Sequence, residues 1–245
     1  MISKNQIKTI HQLEQKKYRQ REGLFVAEGP KVVGDLLRQG FKPRQLFATT
    51  DWNDASLVMP SQDDVVQLVT EEELRKVSFL QHPQQVLATF PIPTAQAPSV
   101  PTSLSLALDG IQDPGNLGTI IRIADWFGID TIYCSPDTAD AWNPKVVQAT
   151  MGSIARVHLY YIDLQQLLSK TTLPVYGTLL DGQDIYQQEL SSEGIIVMGN
   201  EGNGISAPIR QLVTHRLLIP PFRPGAESLN VAIATAITCS EFRRR

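Results

Sequence analysis

The chain has 245 residues, a net charge of −3 and 42% hydrophobic residues, which describes a globular protein of one or two domains rather than a disordered chain. No run approaches the roughly 20 uninterrupted apolar residues that span a bilayer, and the N-terminal segment lacks the apolar core of a signal peptide. Cys134 and Cys239 are too few for a disulfide framework or a four-cysteine zinc site, so we expect a cytoplasmic protein without a metal.

Positive charge is concentrated at the N-terminus of this acidic chain. Residues 1–21 carry +5 by side chains, from Glu14 against Lys4, Lys8, Lys16, Lys17, Arg19 and Arg21. A basic end can bind a phosphate backbone, and it can equally be the solvated face of a helix.

The first part of the chain alternates helices and strands. The predicted elements are a helix over 8–20, a strand and then a helix within 24–40, strands over 44–49 and 85–90, and a short helix after the capping box of Thr70 and Glu73. This order indicates a small α/β domain.

A proline-rich segment follows at residues 90–103, with four prolines and no charge. Proline fixes φ and removes backbone donors, so this segment is typical of an extended linker. We place the domain boundary near residue 97, which gives domains 1–97 and 98–245.

The second part continues the alternation with more apolar strands. The predicted strands are 104–109, 130–135, 156–161, 173–180, 194–199 and 215–220, and the predicted helices lie near 117–127, 143–151, 163–170, 207–213 and 228–242. Near-continuous apolar strands separated by helices indicate a mainly parallel sheet that is covered on both faces.

Ligands of such sheets bind beyond the carboxyl ends of the strands, so the loops there are candidate sites. The first is LDGIQDPGNLGTIIRIADWFG (108–128). Its residues Asp109, Asp113, Pro114, Gly115, Asn116 and Gly118 predict a turn-rich loop, with Arg122 near the start of the following helix.

The second loop, IIVMGNEGNGIS (195–206), places Gly199, Gly202 and Gly204 around Asn200, Glu201 and Asn203. A tight structural turn explains this pattern, and so does a main-chain grip on an adenosine-sized ligand. The acidic Glu201 argues against a phosphate cradle, and the spacing matches neither the dinucleotide fingerprint nor the P-loop.

The third loop lies within LLIPPFRPGAESLNVAIATAITCSEFRRR (217–245). Pro220, Pro221, Pro224 and Gly225 predict a rigid loop, and Ser228 is the expected N-cap of the last helix, with Asn230 in its first turn. This helix is apolar nearly all round, so we expect it to be buried, in part against another subunit.

Together these segments resemble the three motifs of the SpoU (TrmH-type) RNA ribose 2′-O-methyltransferases of the SPOUT class, over essentially all of residues 104–242. Residues 16–37 are similar to the start of the small L30-like substrate-binding domain of many members. The resemblance implies an α/β protein with a SPOUT-type α/β knot, that is, a mainly parallel sheet with a C-terminal trefoil knot, preceded by a small α/β L30-like domain. It also implies a homodimer, S-adenosylmethionine as cofactor and structured RNA as partner, with ribosomal RNA favoured over transfer RNA.

The resemblance also assigns roles to residues. It implies a catalytic group of Asn116, Arg122, Glu201, Ser228 and Asn230, and a cofactor-binding group of Leu179, Gly199, Asn200, Gly202, Ile219, Ser228 and Leu229. Departures from the family pattern at Pro221, Phe222 and Ala232 spare these polar residues. A ribose 2′-hydroxyl is a poor nucleophile, and an arginine with a pKa above about 12 is a poor base, so we expect Arg122 to stabilise the developing alkoxide electrostatically.

Other readings stay open at this point. A tRNA ribose methyltransferase and a noncatalytic RNA-binding assembly factor would share the fold, whereas a dinucleotide enzyme is disfavoured by the missing glycine fingerprint. The four histidines are scattered without metal-ligand spacing, and both cysteines are expected to be core residues. Trp126 is expected to pack in the core or against another subunit.

Overall fold

We describe a computed structural model of the chain over residues 1–52, 65–94, 103–223 and 228–244. It divides into two compact units, Met1–Thr94 with Asp140–Arg156, and Ala95–Ala139 with Val157–Arg245. The predicted boundary near residue 97 and most of the proline-rich segment lie outside the described residues. Two consecutive domains do not account for Asp140–Arg156, which follows a strand of the second unit yet packs with the first.

The helices and strands alternate along the chain as follows. The elements are α1 (Lys4–Gln12), α2 (Lys16–Glu22), β1 (Leu24–Glu28), α3 (Pro30–Arg38), β2 (Gln45–Ala48), β3 (Val66–Leu68), α4 (Glu71–Arg75), β4 (Val86–Pro91), β5 (Ser105–Asp109), α5 (Pro114–Trp126), β6 (Thr131–Cys134), α6 (Pro144–Ala149), β7 (His158–Tyr161), α7 (Leu164–Lys170), β8 (Val175–Asp184), β9 (Ile195–Gly199), α8 (Ala207–Arg210), β10 (His215–Leu218) and α9 (Val231–Arg244). Short 3₁₀ turns occupy Ser153–Ala155 and Ile185–Gln187.

The first unit is built on a four-stranded sheet in the order β1-β4-β2-β3. Strand β4 is antiparallel to both of its neighbours, whereas β2 and β3 are parallel. Phe47, Leu87 and Val26 are buried in its core together with Leu13 of the helical N-terminus. Thr70 forms the predicted capping box with Glu73, since each side chain bonds the backbone N–H of the other residue. The small α/β arrangement is therefore confirmed.

Arg19 explains why the predicted helix over 8–20 is two helices. Its guanidinium donates to the carbonyl oxygens of Leu13 and Glu14, each at 2.7 Å, and these carbonyls lie at the break between α1 and α2. It also pairs with Asp140, and Arg19 is only 1% exposed. Arg19 is therefore a structural cation and is not one of the exposed charges of the basic N-terminus, whether these bind phosphate or only face solvent.

The segment Asp140–Arg156 is tied into the first unit by ring packing and charge. The ring centroids of Trp142 and Phe25 lie 4.6 Å apart, and the Arg156 guanidinium is 3.3 Å from Asp35. A sequence pattern of alternating strands and helices does not reveal that a later segment packs with the first unit.

The second unit contains a six-stranded sheet in the order β10-β8-β9-β5-β6-β7, and every strand pair in it is parallel. Its core contains Ala107, Val197 and Tyr133, with Leu164 and Leu168 of α7 packed beside them. The predicted α/β architecture with a mainly parallel sheet is confirmed.

Several predicted boundaries are wrong. Strand β3 was not predicted because three residues are too short for a recognisable period, and β8 continues four residues beyond its predicted end at Leu180, to Asp184. The pairing of β8 with β10 shifts register between Arg216 and Leu217, so β8 bulges there and escapes a simple strand pattern.

Among the helices of the described residues, none combines the length and the apolar character that a crossing of a lipid bilayer requires.

Candidate functional site

The candidate site lies at the carboxyl edge of the parallel sheet in the second unit. Strands β5, β9 and β10 end at Asp109, Gly199 and Leu218, so the loops that follow leave the same edge. Two of these loops touch, because the side-chain amide of Asn200 donates to the carbonyl oxygen of Gly110 at 2.7 Å. The sheet thus brings together the first two sequence segments singled out above.

Asp113 starts α5 and fixes the position of Asn116. Its Oδ1 accepts from the backbone N–H of Asn116 at 2.7 Å, and Pro114 occupies the first helical turn, where its missing N–H costs nothing. The predicted loop over these residues is therefore helical from Pro114, and Arg122 lies in the middle of α5 rather than near its start. An aspartate directly before proline is the sequence signal that could have shown this.

The loop after β9 is a tight turn that closes on itself. Asn200 and Gly204 exchange backbone hydrogen bonds of 3.0 and 2.9 Å, and Asn200 Oδ1 accepts from the backbone of Gly202 and Asn203. A Cβ on Gly199 would lie 2.3 Å from the carbonyl carbon of Gly204, so only glycine allows this closure. The close backbone contact in the turn is therefore enough to explain why position 199 is a glycine.

Three side chains from the three segments form one hydrogen-bond chain. Asn230 Nδ2 donates to Asn116 Oδ1 at 3.0 Å, and Asn116 Nδ2 donates to Glu201 Oε1 at 2.7 Å. The amide of Asn116 is thereby oriented from both sides, and its assignment follows because a carboxylate accepts only. We call Asn116, Glu201 and Asn230 the polar triad.

Asn230, rather than Ser228, begins α9. Asn230 Oδ1 accepts from the backbone N–H groups of Ala232 and Ile233, at 3.0 and 3.3 Å, as an N-cap does. The prediction that Ser228 caps this helix is wrong, because the helix starts at Val231 and Ser228 precedes the cap by two residues. Ser228 is exposed to solvent, and Pro224 and Gly225 of the same loop lie outside the described residues.

Arg122 does not face the polar triad. Six residues separate it from Asn116 on α5, which turns its direction away by about 120° around the helix axis. It is exposed, and over the described residues no side chain pairs with it. Trp126, four residues on and 84% exposed, shares its face of the helix.

The residues predicted to bind a cofactor occupy different environments. Leu179 is 8% exposed and packs in the core with Val197 and Ile205, so only its backbone can contact a ligand. Ile219 is half-buried after β10, and Leu229 is 50% exposed before α9. Gly202 is exposed at the tip of the turn. Leu179 lies within β8, in the part of the strand that bulges at its pairing with β10.

Cysteine and metal chemistry find no support in the described part of the chain. Cys134 and Cys239 are both fully buried, and burial raises the pKa of the Cys134 thiol far above its usual range and that of Cys239 to about 12. These thiols are core residues. The described residues contain no group of three histidine, cysteine or acidic side chains that could hold a metal ion.

Comparison with known proteins matches the segments just described. The model of the SpoU rRNA Methylase family matches residues 103–240, and the model of the MRM3-like substrate binding domain matches residues 4–88. The chain belongs to the SpoU rRNA methylase family.

Individual relatives cover nearly the whole chain. The Bacillus subtilis 23S rRNA (guanosine(2553)-2′-O)-methyltransferase RlmP is 30% identical, over 98% of this chain and 97% of its own length. A TrmH-family protein from Porphyromonas gingivalis is 43% identical, with a TM-score of 0.90 over 100% of this chain and 99% of its own. An AdoMet-bound rRNA methyltransferase from Sinorhizobium meliloti is 30% identical, with a TM-score of 0.85 over 100% and 97%.

We expect Gly199→Ala to destabilise the protein and Gly202→Ala to be tolerated. The new Cβ at position 199 meets backbone atoms at 2.3 Å, whereas at position 202 the nearest atom is 3.5 Å away. Overpacking of this kind costs about 1–3 kcal/mol of the free energy of unfolding, against at most about 0.5 kcal/mol for a neutral surface change. Urea unfolding of both variants measures this difference, and equal stabilities would contradict the close approach.

Proposed function

We propose that this protein transfers a methyl group from S-adenosylmethionine to a ribose 2′-hydroxyl of RNA, with ribosomal RNA as the favoured substrate. The observation that carries the proposal is the polar triad, because it joins the three segments that resemble the SpoU motifs through side-chain bonds of 2.7 and 3.0 Å. The names of the B. subtilis and S. meliloti relatives support the ribosomal substrate and the cofactor.

The residues at the sheet edge fit the cofactor. S-adenosylmethionine combines flat adenine faces, which pack on apolar side chains, with polar groups that bond to backbone N–H and C=O groups. The edge offers the partly exposed Leu229 and Ile219 beside the exposed Gly202. We infer that these residues hold it together with the backbone of Leu179, Gly199, Asn200 and Ser228. When bound, S-adenosylmethionine supplies an electrophilic methyl group.

The polar triad would position the ribose. With Asn230 and Glu201 engaged, the Asn116 amide keeps one N–H and one lone pair for a hydroxyl. Glu201 accepts from Asn116, so its carboxylate orients the amide and does not need to act as a base. Preorganised hydrogen bonds of this kind act in the transition state without a reorganisation cost.

Arg122 would stabilise the negative charge that develops on the 2′-oxygen as this oxygen takes the methyl group, while S-adenosylhomocysteine leaves and the hydroxyl proton passes to solvent water. An arginine is protonated at every working pH, so electrostatic stabilisation suits it better than proton abstraction. Because Arg122 faces away from the triad of its own chain, we propose that it serves the site of a partner subunit. Ser228 is exposed and lies two residues before Asn230 in the sequence, and it remains a predicted catalytic residue.

An apolar face supports the homodimer that such sharing requires. Trp126 on α5 is 84% exposed, and Ile233 on α9 is 52% exposed, although α5 and α9 pack on each other. Trp126 lies at the end of α5, where Arg243 of α9 donates to the carbonyl oxygen of Phe127. Ile233 lies in the first turn of α9 beside Asn230. The two exposed side chains therefore mark the two ends of the helix pair, and large exposed apolar side chains indicate interaction surfaces. A two-fold interface over α5 and α9 would cover both and bring each Arg122 towards the other subunit.

The trefoil knot and the location in the cell are part of the same proposal. The bulge of β8 comes against the backbone of β10, where a Cβ on Gly182 would lie 2.5 Å from the carbonyl carbon of Leu217. This close approach belongs to the pairing of two neighbouring strands, and the knotted C-terminal region is proposed from the resemblance to the SPOUT class. The two free thiols support a cytoplasmic location.

Arg122→Ala should lower the rate of methyl transfer by about a hundredfold or more, with the affinity for S-adenosylmethionine nearly unchanged, because the charge acts mainly in the transition state. Arg122→Lys should recover little, since an ammonium lacks the planar fork. Single-turnover transfer of labelled methyl from S-adenosylmethionine to total RNA measures both rates. Absence of transfer by the parent would favour a noncatalytic assembly factor, and a variant rate within a few-fold of the parent would remove Arg122 from the mechanism.

Mixed dimers test the shared site. If Arg122 acts on the partner subunit, a dimer of one Arg122→Ala chain and one Asn116→Ala chain contains one complete site, whereas each homodimer contains none. Two differently tagged chains, refolded together and purified by both tags, should therefore regain about half of the parent activity. A mixed dimer as inactive as both homodimers would place Arg122 in its own chain's site.

The basic face of α2 is proposed to bind the RNA backbone. Lys16, Lys17 and Arg21 are exposed, and the last two lie 4.8 Å from the ring centre of Tyr18. Replacing the three by glutamine should reduce the slope of log affinity against log salt by about 2, at about 0.7 per contact to a single strand. Glutamine at Lys42, Lys145 and Lys170, which are also exposed, removes the same charge and should leave the slope unchanged. Equal slopes in both triple variants would show a merely solvated face.

A further inference from the structure

The first unit contains a cavity of about 440 Å³ at one edge of its sheet. Thr49, directly after β2, lines it, Gln85 lines it directly before β4, and α3 begins there at Pro30. Cavities of about 300–1,000 Å³ are the usual size for small organic ligands. The volume therefore suits a group of the size of a nucleobase with its sugar.

The wall of this cavity is polar over an apolar floor. The cavity is lined by polar side chains and by the buried Leu74 and the ring of Pro83. The polar side chains are those of Asp51, Glu71, Arg75, Gln84 and Gln85. Arg75 is 3.6 Å from Glu71 and is thereby engaged. Over the described residues, no side-chain bond is made by Asp51, Gln84 or Gln85, and all three are exposed to solvent. Their hydrogen-bonding capacity is available to a ligand.

The charge of the wall selects the kind of ligand. Two carboxylates against one guanidinium repel a phosphate group, so the RNA backbone does not belong in the cavity. A carboxylate accepts from an exocyclic amino group, and a glutamine amide both donates and accepts along the edge of a base. Cytosine, adenine and guanine carry such an amino group, whereas uracil does not.

The backbone of the wall is held in an unusual conformation. Gln85 has φ of 52°, which a side-chain-bearing residue rarely adopts, and its carbonyl oxygen accepts from Thr49 N at 2.8 Å. Such outliers cost about 1–3 kcal/mol and cluster at ligand sites, because the surrounding structure must hold them in place. The hydrogen bond from Thr49, directly after β2, holds Gln85 in this conformation.

We propose that this cavity binds one unpaired, amino-bearing base of the substrate RNA and so contributes sequence preference to the first unit. The inference rests on the proposed function, since it concerns the same RNA. Proteins read RNA sequence mainly through unpaired bases, whose edges are free and whose faces can pack on apolar side chains. The ring of Pro83 supplies the apolar contact, and Asp51 and Gln84 supply the edge contacts.

Binding of two oligonucleotides to the full chain tests the proposal. Labelled ten-nucleotide strands of cytidine and of uridine differ at the edge that the cavity would read, and we expect the parent to bind the cytidine strand about tenfold more tightly. Replacing both Asp51 and Gln84 by alanine should bring the ratio of the two affinities close to one. Fluorescence anisotropy at one fixed salt concentration measures both ratios.

The matched control replaces Glu72 and Gln39 by alanine, which removes the same charge and the same amide from exposed positions outside the cavity. This control should keep the tenfold ratio, and urea unfolding should show that both double variants are folded. A parent ratio near one, or a ratio that survives in the cavity variant, would overturn the proposal. The measurement needs no cofactor, so it is separate from a failure of methyl transfer.

Discussion

The amide of Asn116 is held on both sides, and the mutual placement of three segments at the sheet edge depends on that. Its partners Glu201 and Asn230 are 85 and 114 residues away in sequence, so neither bond can form before the sheet has brought their loops to one edge. Once formed, the two bonds fix the start of α5, the turn after β9 and the start of α9 against one another. A change in any of these segments must then be felt by the other two.

The sheet edge keeps its loops in place by satisfying their backbone groups with side chains. Asp109 accepts from the backbone N–H of Ser206 at 2.7 Å, and Ser135 Oγ accepts from that of Gly110 at 2.9 Å. Buried backbone donors need such partners, and here the partners come from neighbouring strands. The same bonds that satisfy the loops therefore also preorganise the polar triad, so stability and proposed chemistry share their contacts.

Elements that depend on neighbouring residues could be predicted from the sequence. Contacts between segments far apart in sequence could not. All strands except β3, and the capping box at Thr70, follow from residue patterns that act over a few positions. The burial of Arg19 depends on Asp140, which is 121 residues away, and so no local pattern distinguishes it from its solvated neighbours Lys16 and Lys17. At α9 the sequence predicts Ser228 as the N-cap, whereas Asn230 caps the helix and also donates to Asn116, which is 114 residues away.

The direction of Arg122 follows from where α5 begins. With Asp113 as the N-cap, Asn116 sits in the first turn, and the helical period then directs Arg122 to the face that it shares with Trp126. In an isolated chain Arg122 and the indole of Trp126 both face solvent. Exposure of a large apolar side chain to water is unfavourable. The proposed second subunit would cover the indole of Trp126 and would place Arg122 next to the partner's surface, since both share one face of α5. The position of one aspartate before α5 therefore underlies the proposed sharing of Arg122 between two subunits.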